Sequence, residues 1–462
     1  MTTNRVGFTS KIGFIAAAAG SAVGLGNIWR FPYETGENGG AAFLFVYLIC
    51  MVVIGFPVMA AEIAVGRHAQ NNQYRAYRNI GNKYWGFVGI WGILCAIMFL
   101  SAYNVVAGWA FGYFINITFA DLLSTSDFEQ FFGSYVSDIS NIFWYSLAFM
   151  SLTALIVLGG IQKGIEKAAK ILMPILFILL IGLILYSITL PNAMAGIKYY
   201  LVPDFSLITI QTIYSALGQS FFSLSLGMGA LITFGSYLGK NDNIISSAGL
   251  VVFTDTMVAF LAGLLIFPLV FSQGVSPSQG PGLIFVVLPG IFSAMGPVAG
   301  KIIGGGFFLL LCFAAITSTI SLLEIPTTFL IDEKKWSRKK VVILLAVLVF
   351  ILSLPSMVAH GSMEFFTNFL YYEDGNKSFF DLVFDIFGDL GLSLGGFLLV
   401  IFIARRWKMA NFHNEVAEGN KKYPGSITMA FLGVMIQWVC PVILGVLFIF
   451  SFLQRFFNLS VL

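Results

Sequence analysis

The first apolar run of the chain, residues 12–31, carries features that a plain membrane helix should lack. Its middle and outer part reads Gly20-Ser21-Ala22-Val23-Gly24-Leu25-Gly26-Asn27-Ile28-Trp29-Arg30-Phe31-Pro32. Three glycines in seven residues weaken a helix, and Pro32 with Asn38-Gly39-Gly40 closes the segment. Non-helical backbone at membrane depth persists only where it lines a protein-buried cavity. The run therefore predicts a broken helix that holds something near the bilayer centre.

Ten more apolar runs of spanning length follow, at 41–65, 86–119, 141–159, 168–190, 208–238, 244–272, 300–331, 339–355, 379–404 and 427–453. About 20 residues cross the hydrocarbon, so the chain reads as an all-α polytopic membrane protein with about eleven spans. With 58% hydrophobic and 10% charged residues, no soluble core of this length is implied. Residues 282–297 are apolar but short and punctuated by Pro289, Gly290 and Pro297, and read as a hairpin or re-entrant loop on the outer surface. A net charge of +3 gives nucleic-acid binding no support. Cys50, Cys95, Cys312 and Cys440 lie inside apolar runs as small hydrophobes, and His68, His360 and His413 stand apart near loops, so no disulfide or metal spacing appears. Residues 1–11 are too short and polar for a signal peptide.

Twenty of the 25 Lys and Arg residues fall on one side of these spans, in the N-terminal segment and in the loops around 67–83, 163–170, 240, 334–340 and 405–422. The positive-inside rule then sets the N-terminus in the cytoplasm of a multi-pass cell (inner) membrane protein. An odd span count sets the C-terminus outside.

Span 6 repeats the anomaly of span 1. Gly218, Gly227 and Gly229 interleave with Ser220, Ser223 and Ser225 near mid-span. Small residues also serve tight helix packing. Two such segments five spans apart, crossing in opposite directions, predict instead an inverted repeat around a central site. The halves are spans 1–5 (1–202) and spans 6–10 (203–410), with a loop and span 11 at 411–462. Half-helix N-termini offer N–H groups to a carboxylate, and unwound carbonyls offer oxygen to cations. Such a site suits a zwitterion and a metal cation.

Gly20–Pro32, Gly218–Gly229 and Ala314-Ala315-Ile316-Thr317-Ser318 of span 8 closely resemble the neurotransmitter:sodium symporter family, nearest its eleven-span bacterial amino-acid transporters. The resemblance implies a five-plus-five inverted-repeat fold and two sodium ions. Sodium site 1 would use Ala22, Asn27, Ser223, Asp255 and the substrate carboxylate. Sodium site 2 would use Gly20, Val23, Ala314, Thr317 and Ser318, of which the span 8 members share one helix face. The substrate would meet Ser21, Ala22, Gly26, Phe99, Tyr103, Phe222, Ser223, Ser225, Met228, Ser318, Ser321 and Leu322. Many relatives carry asparagine where Asp255 stands, with chloride nearby; the fixed carboxylate implies that chloride is not required. Gly24 stands where monoamine carriers have an acid, so the substrate should bring its own carboxylate, and an apolar wall including Met228 points to neutral, hydrophobic L-amino acids.

An outer gate would pair Arg30 with Asp385 near Gln219, and an inner gate would pair Arg5 with Asp332, packed by Phe8 and Tyr237. Glu62 is expected to hydrogen-bond the exposed backbone of the broken spans, and Glu324 to brace span 8. The implied activity is sodium-coupled symport by alternating access, with spans 1, 2, 6 and 7 rocking against the rest of the bundle. A proton- or sodium-coupled carrier of another small solute on this fold, such as a betaine or nucleobase, is the alternative. Repeated pore loops or charge rings of a channel are not visible. Three scattered histidines make no enzyme site.

Overall fold

The computed structural model describes residues 7–277, 282–373 and 375–457. Among the described residues, nine helices are long and apolar enough to cross a membrane, and a bent pair adds a tenth crossing. The bent pair is span 1, Lys11–Ala22 followed by Gly26–Glu37, with a 52° bend. Spans 2 to 5 are Ala41–Ala69, Lys83–Phe119, Ile139–Leu158 and Ile161–Ser187. Span 6 is two pieces too short to span singly, Ile210–Ser223 and Ala230–Gly235. Spans 7 to 11 are Ile244–Ser272, Pro297–Lys334, Arg338–Val358, Phe379–Trp407 and Ile427–Phe457. All eleven apolar runs thus become helical, and runs 1 and 6 are the two that break. The segment 282–297, expected as a hairpin or re-entrant loop on the outer surface, is mostly helical and turns at Gly296 into span 8. Leu283–Ala294 is an apolar helix whose Leu283, Ile284, Phe285, Leu288 and Phe292 are buried. Pro289 is absorbed in its second half, where the first turn of an α-helical stretch needs no N–H from it.

The layers follow from how each run is buried. Span 8 has 83% of its apolar window inside the protein, whereas spans 5 and 11 have 28%. Span 8 packs along span 3 and these two form the central wall, while spans 4, 5, 9 and 11 turn more of their apolar surface outward. A hairpin of Leu370–Tyr372 with Gly375–Lys377 precedes span 10.

The broken spans lie against that wall. Ser10 starts span 1 by accepting from the Gly13 N–H at 3.1 Å, and the first half ends where Val23 turns extended. Span 6 unwinds over 224–229, with Ser225, Gly227 and Gly229 at φ of +51°, +92° and +80°. Glycine is required at 227 by space as well as by φ, because a Cβ there would lie 2.2 Å from the Leu392 carbonyl oxygen of span 10. At the lysine- and arginine-rich end, helix Met409–Glu418 is tied down by Glu415, which pairs with buried Arg67, with His68 at 2.8 Å and with Lys240 at 2.7 Å. Burial would raise the Glu415 carboxyl, but these partners hold it down to about 2.

Candidate substrate and ion site

At the centre, Asn27 organises the first cluster. Its Nδ2 donates to Ser223 Oγ at 2.9 Å and to Asp255 Oδ1 at 2.8 Å, while its Oδ1 accepts from the Gly24 N–H at 2.9 Å. Ser223 Oγ donates to Asp255 Oδ2 at 2.8 Å. Both side-chain partners of this fully buried carboxylate are neutral. Ala22, the last residue of the first half-helix, is buried beside the break. An ionised acid at membrane depth is costly without a cation; the Asp255 and Ser223 oxygens meet here, with the Asn27 amide turning its Nδ2 to both and its Oδ1 to the Gly24 N–H.

A second cluster gathers oxygen between spans 1 and 8. Thr317 Oγ1 lies 3.2 Å from the Val23 carbonyl, 3.0 Å from that of Ala314 and 3.2 Å from that of Phe313. Ser318 Oγ lies 3.3 Å from the Val23 carbonyl and 3.5 Å from that of Ser21. One hydroxyl hydrogen serves one acceptor at a time, so oxygens here outnumber donors. Gly20 faces Thr317 closely enough that a Cβ would touch its side chain at 3.4 Å. The donors are oxygen only, as a hard cation such as sodium prefers.

Between the clusters, Tyr103 accepts the Leu25 N–H at 3.0 Å, so its hydroxyl caps the second half of span 1. At Gly24 a Cβ would fall 2.4 Å from Ser318 Oγ and 2.9 Å from the Tyr103 hydroxyl, so a larger residue would have to displace these hydroxyls. Phe99 meets Tyr103 at 5.6 Å and Phe222 edge-on at 5.7 Å, and Gly26 opposes the Phe222 ring. Ser225 Oγ donates to the Ser21 carbonyl at 3.5 Å, and Met228 and Leu322 are buried. Ser21 Oγ is buried with no protein partner, the kind of orphan group that a ligand satisfies. Ser321 is less available, because its hydroxyl donates back to the Ser318 carbonyl at 2.8 Å.

At the Arg30 end one expected pairing is corrected. Asp385 does not meet Arg30; Arg30 Nη1 binds Asp389 Oδ1 at 2.7 Å instead. The two acids lie one turn apart on span 10, and Asp385 is already engaged by Arg455 at 2.9 Å and by the Tyr372 hydroxyl at 2.7 Å. Sequence reasoning missed Asp389 and Arg455; the signal available was an acid four residues on and a lone arginine at the end of an apolar run. Gln219 Nε2 donates to the Gly26 carbonyl at 2.8 Å, and the Arg30 guanidinium lies 4.4 Å above the Phe222 ring. Here a cavity of about 490 Å³ opens among Trp29, Trp109, Phe222, Phe384 and Arg30.

At the opposite end, Phe8 packs edge-on against Phe14, Phe234 and Tyr237 at 5.5, 6.1 and 6.3 Å. Tyr237 donates to Glu324 at 3.4 Å, and Glu324 pairs with Arg338, so Glu324 links span 8 to spans 6 and 9. Asp332 accepts from the backbone N–H and side chain of Asn72 at 3.0 and 3.1 Å. Arg5, its expected partner, lies outside the described residues. Glu62 binds broken backbone as anticipated, at the span 6 break: it accepts from the N–H of Gly227 at 2.7 Å and of Leu231 at 3.2 Å.

Two broken helices around a buried, oxygen-rich centre define a secondary transporter of inverted-repeat architecture. The chain matches the model of the Sodium:neurotransmitter symporter family over residues 5–132 and 122–459, and it belongs to that family. A sodium-dependent transporter of Bacillus subtilis, YhdH, is 38% identical over 90% of this chain and 91% of the relative. One from Haemophilus influenzae is 35% identical over 97% and 99%. The crystal structure of MhsT in complex with L-phenylalanine superposes with a TM-score of 0.87 at 39% identity, covering 97% of this chain and all of that one. The chain is thus a sodium-dependent membrane transporter rather than an enzyme.

Proposed function

We propose that the protein imports neutral, hydrophobic L-amino acids by symport with two sodium ions, through alternating access. The observation that carries this reading is the buried Asp255 carboxylate with neutral partners, one hydrogen bond away from the Asn27 that holds the break of span 1. Sodium at Ala22, Asn27, Ser223 and Asp255 would supply the missing charge, and sodium at Gly20, Val23, Ala314, Thr317 and Ser318 would tie span 1 to span 8. The substrate carboxylate would take the Leu25 N–H and Tyr103 hydroxyl, and its side chain would lie against Phe99, Phe222, Met228 and Leu322. MhsT, solved with L-phenylalanine, supports an amino-acid substrate with an apolar side chain. The fixed charge of Asp255 does the work that an anion would otherwise do, so chloride is not needed. Basic loops direct the N-terminus to the cytoplasm, which makes the Arg30 end the outer vestibule and the Phe8 end the inner gate. The 1–202 and 203–410 halves are the two inverted repeats.

Uptake of labelled L-phenylalanine and L-leucine into proteoliposomes tests this. It should saturate, need an inward sodium gradient, and survive replacement of chloride by gluconate. Uptake that persists with choline in place of sodium would overturn the coupling. Competition by all twenty amino acids should leave the apolar ones most effective; inhibition confined to charged ones would overturn the substrate class.

A further inference from the structure

We propose that Arg455, near the end of span 11, is a positioning residue that makes the outer gate openable by compensating Asp389 when Arg30 withdraws. The inference rests on the reading of Arg30–Asp389 as that gate.

The geometry divides one carboxylate between two guanidiniums. Asp389 Oδ1 accepts from Arg30 Nη1 at 2.7 Å, and Oδ2 accepts from Arg455 Nη2 at 2.7 Å. The other arm of Arg455 is anchored on Asp385, to Oδ1 at 2.9 Å and to the carbonyl at 3.0 Å. Arg30 sits on the other side of the divide, with Glu34 of its own helix 3.5 Å away and the Phe222 ring beneath it. When the span 1 and span 6 bundle moves, Arg30, Glu34 and Phe222 travel together, while Asp385, Asp389 and Arg455 stay with spans 10 and 11.

Charge then decides how hard the gate is to part. With Arg455 in place, the static side carries two carboxylates and one guanidinium. Without it, two unneutralised carboxylates one turn apart would hold Arg30. These side chains are only 15–25% exposed, so water screens the attraction incompletely. Arg455 also repels Arg30 across the shared acid. Deleting this ion-pair partner should therefore tighten the gate, whereas a brace that merely held span 11 in position would loosen it when lost.

A cysteine introduced as Phe384→Cys in the vestibule of the full chain reports opening, through its labelling by a membrane-impermeant thiol reagent in proteoliposomes. The four native cysteines are buried. Arg455→Gln should slow labelling about tenfold, the population shift of a gate held more tightly shut, and Arg455→Lys should restore much of the rate. Arg30→Gln should speed labelling, and adding Arg455→Gln to it should change nothing more, since no guanidinium is left to hold. Labelling that is unchanged or faster in Arg455→Gln, with Arg30→Gln still faster than the parent, overturns the role of Arg455 alone. An unchanged rate in Arg30→Gln overturns the gate reading, and this inference with it.

Discussion

Span 1 breaks over residues 23–25 and gives its freed carbonyls to the neutral hydroxyls of Thr317 and Ser318, and its Leu25 N–H to Tyr103. Span 6 breaks over 224–229 and gives its freed N–H groups, at Gly227 and Leu231, to the Glu62 carboxylate of span 2. Both solve the same problem, because unsatisfied backbone at membrane depth costs several kcal/mol per group, roughly. They solve it with partners of different kinds. Glu62 gives one carboxyl oxygen to each of two freed N–H groups, so a single side chain closes the second break. Hydroxyls on the first break can turn aside and offer lone pairs to an incoming cation. One break is thus closed by a carboxyl that bridges two N–H groups, and the other by hydroxyls that can rotate.

Glu62→Ala should produce the largest effect. It strands two buried N–H groups at about 1–3 kcal/mol each, and thermal unfolding in detergent should drop steeply with uptake lost. Glu62→Gln should recover part of that stability. If Glu62→Ala melts like the parent, the two breaks are not closed differently. Asp255→Asn comes next: about a hundredfold weaker apparent sodium affinity is expected, since a buried anion opposite a cation is lost. The variant should also gain a stimulation by chloride that is not expected of the parent; parallel uptake assays of both in chloride and gluconate decide this. Thr317→Val with Ser318→Ala should cost about tenfold in sodium affinity with little change in melting temperature, as each removes a neutral oxygen ligand. A fall in stability comparable to that of Glu62→Ala would mean the hydroxyls are structural caps rather than ligand seats. Tyr103→Phe should be smallest for sodium, with a few-fold loss confined to substrate affinity by isothermal titration.

Much of this was legible in the sequence, and for separable reasons. Span placement follows from apolar length alone, which is why all eleven runs recur as helices, while the 282–297 segment, too short to span, holds a short helix whose burial apolar length alone does not place. The breaks were legible because glycine clusters have no other use at mid-span than close packing or unwinding. That Glu62 serves the span 6 break also follows from chemistry, since a buried acid must find donors. The pairing of Arg30 was not legible. Asp385 and Asp389 are equivalent by spacing, and the choice between them is made by Arg455 and Tyr372, residues 70 and 13 positions away from Asp385 along the chain.

The sequence by itself determined the class of molecule, the placement of its apolar runs and the two places where the backbone must open, because hydrophobic length and glycine freedom are local properties. Only the tertiary structure decided which break is closed by a carboxylate, which oxygens gather around the other, and which acid answers Arg30. Those outcomes depend on ångström-scale distances between segments far apart in the chain, and hydrogen bonding and charge compensation in a buried interior are set by such distances rather than by composition.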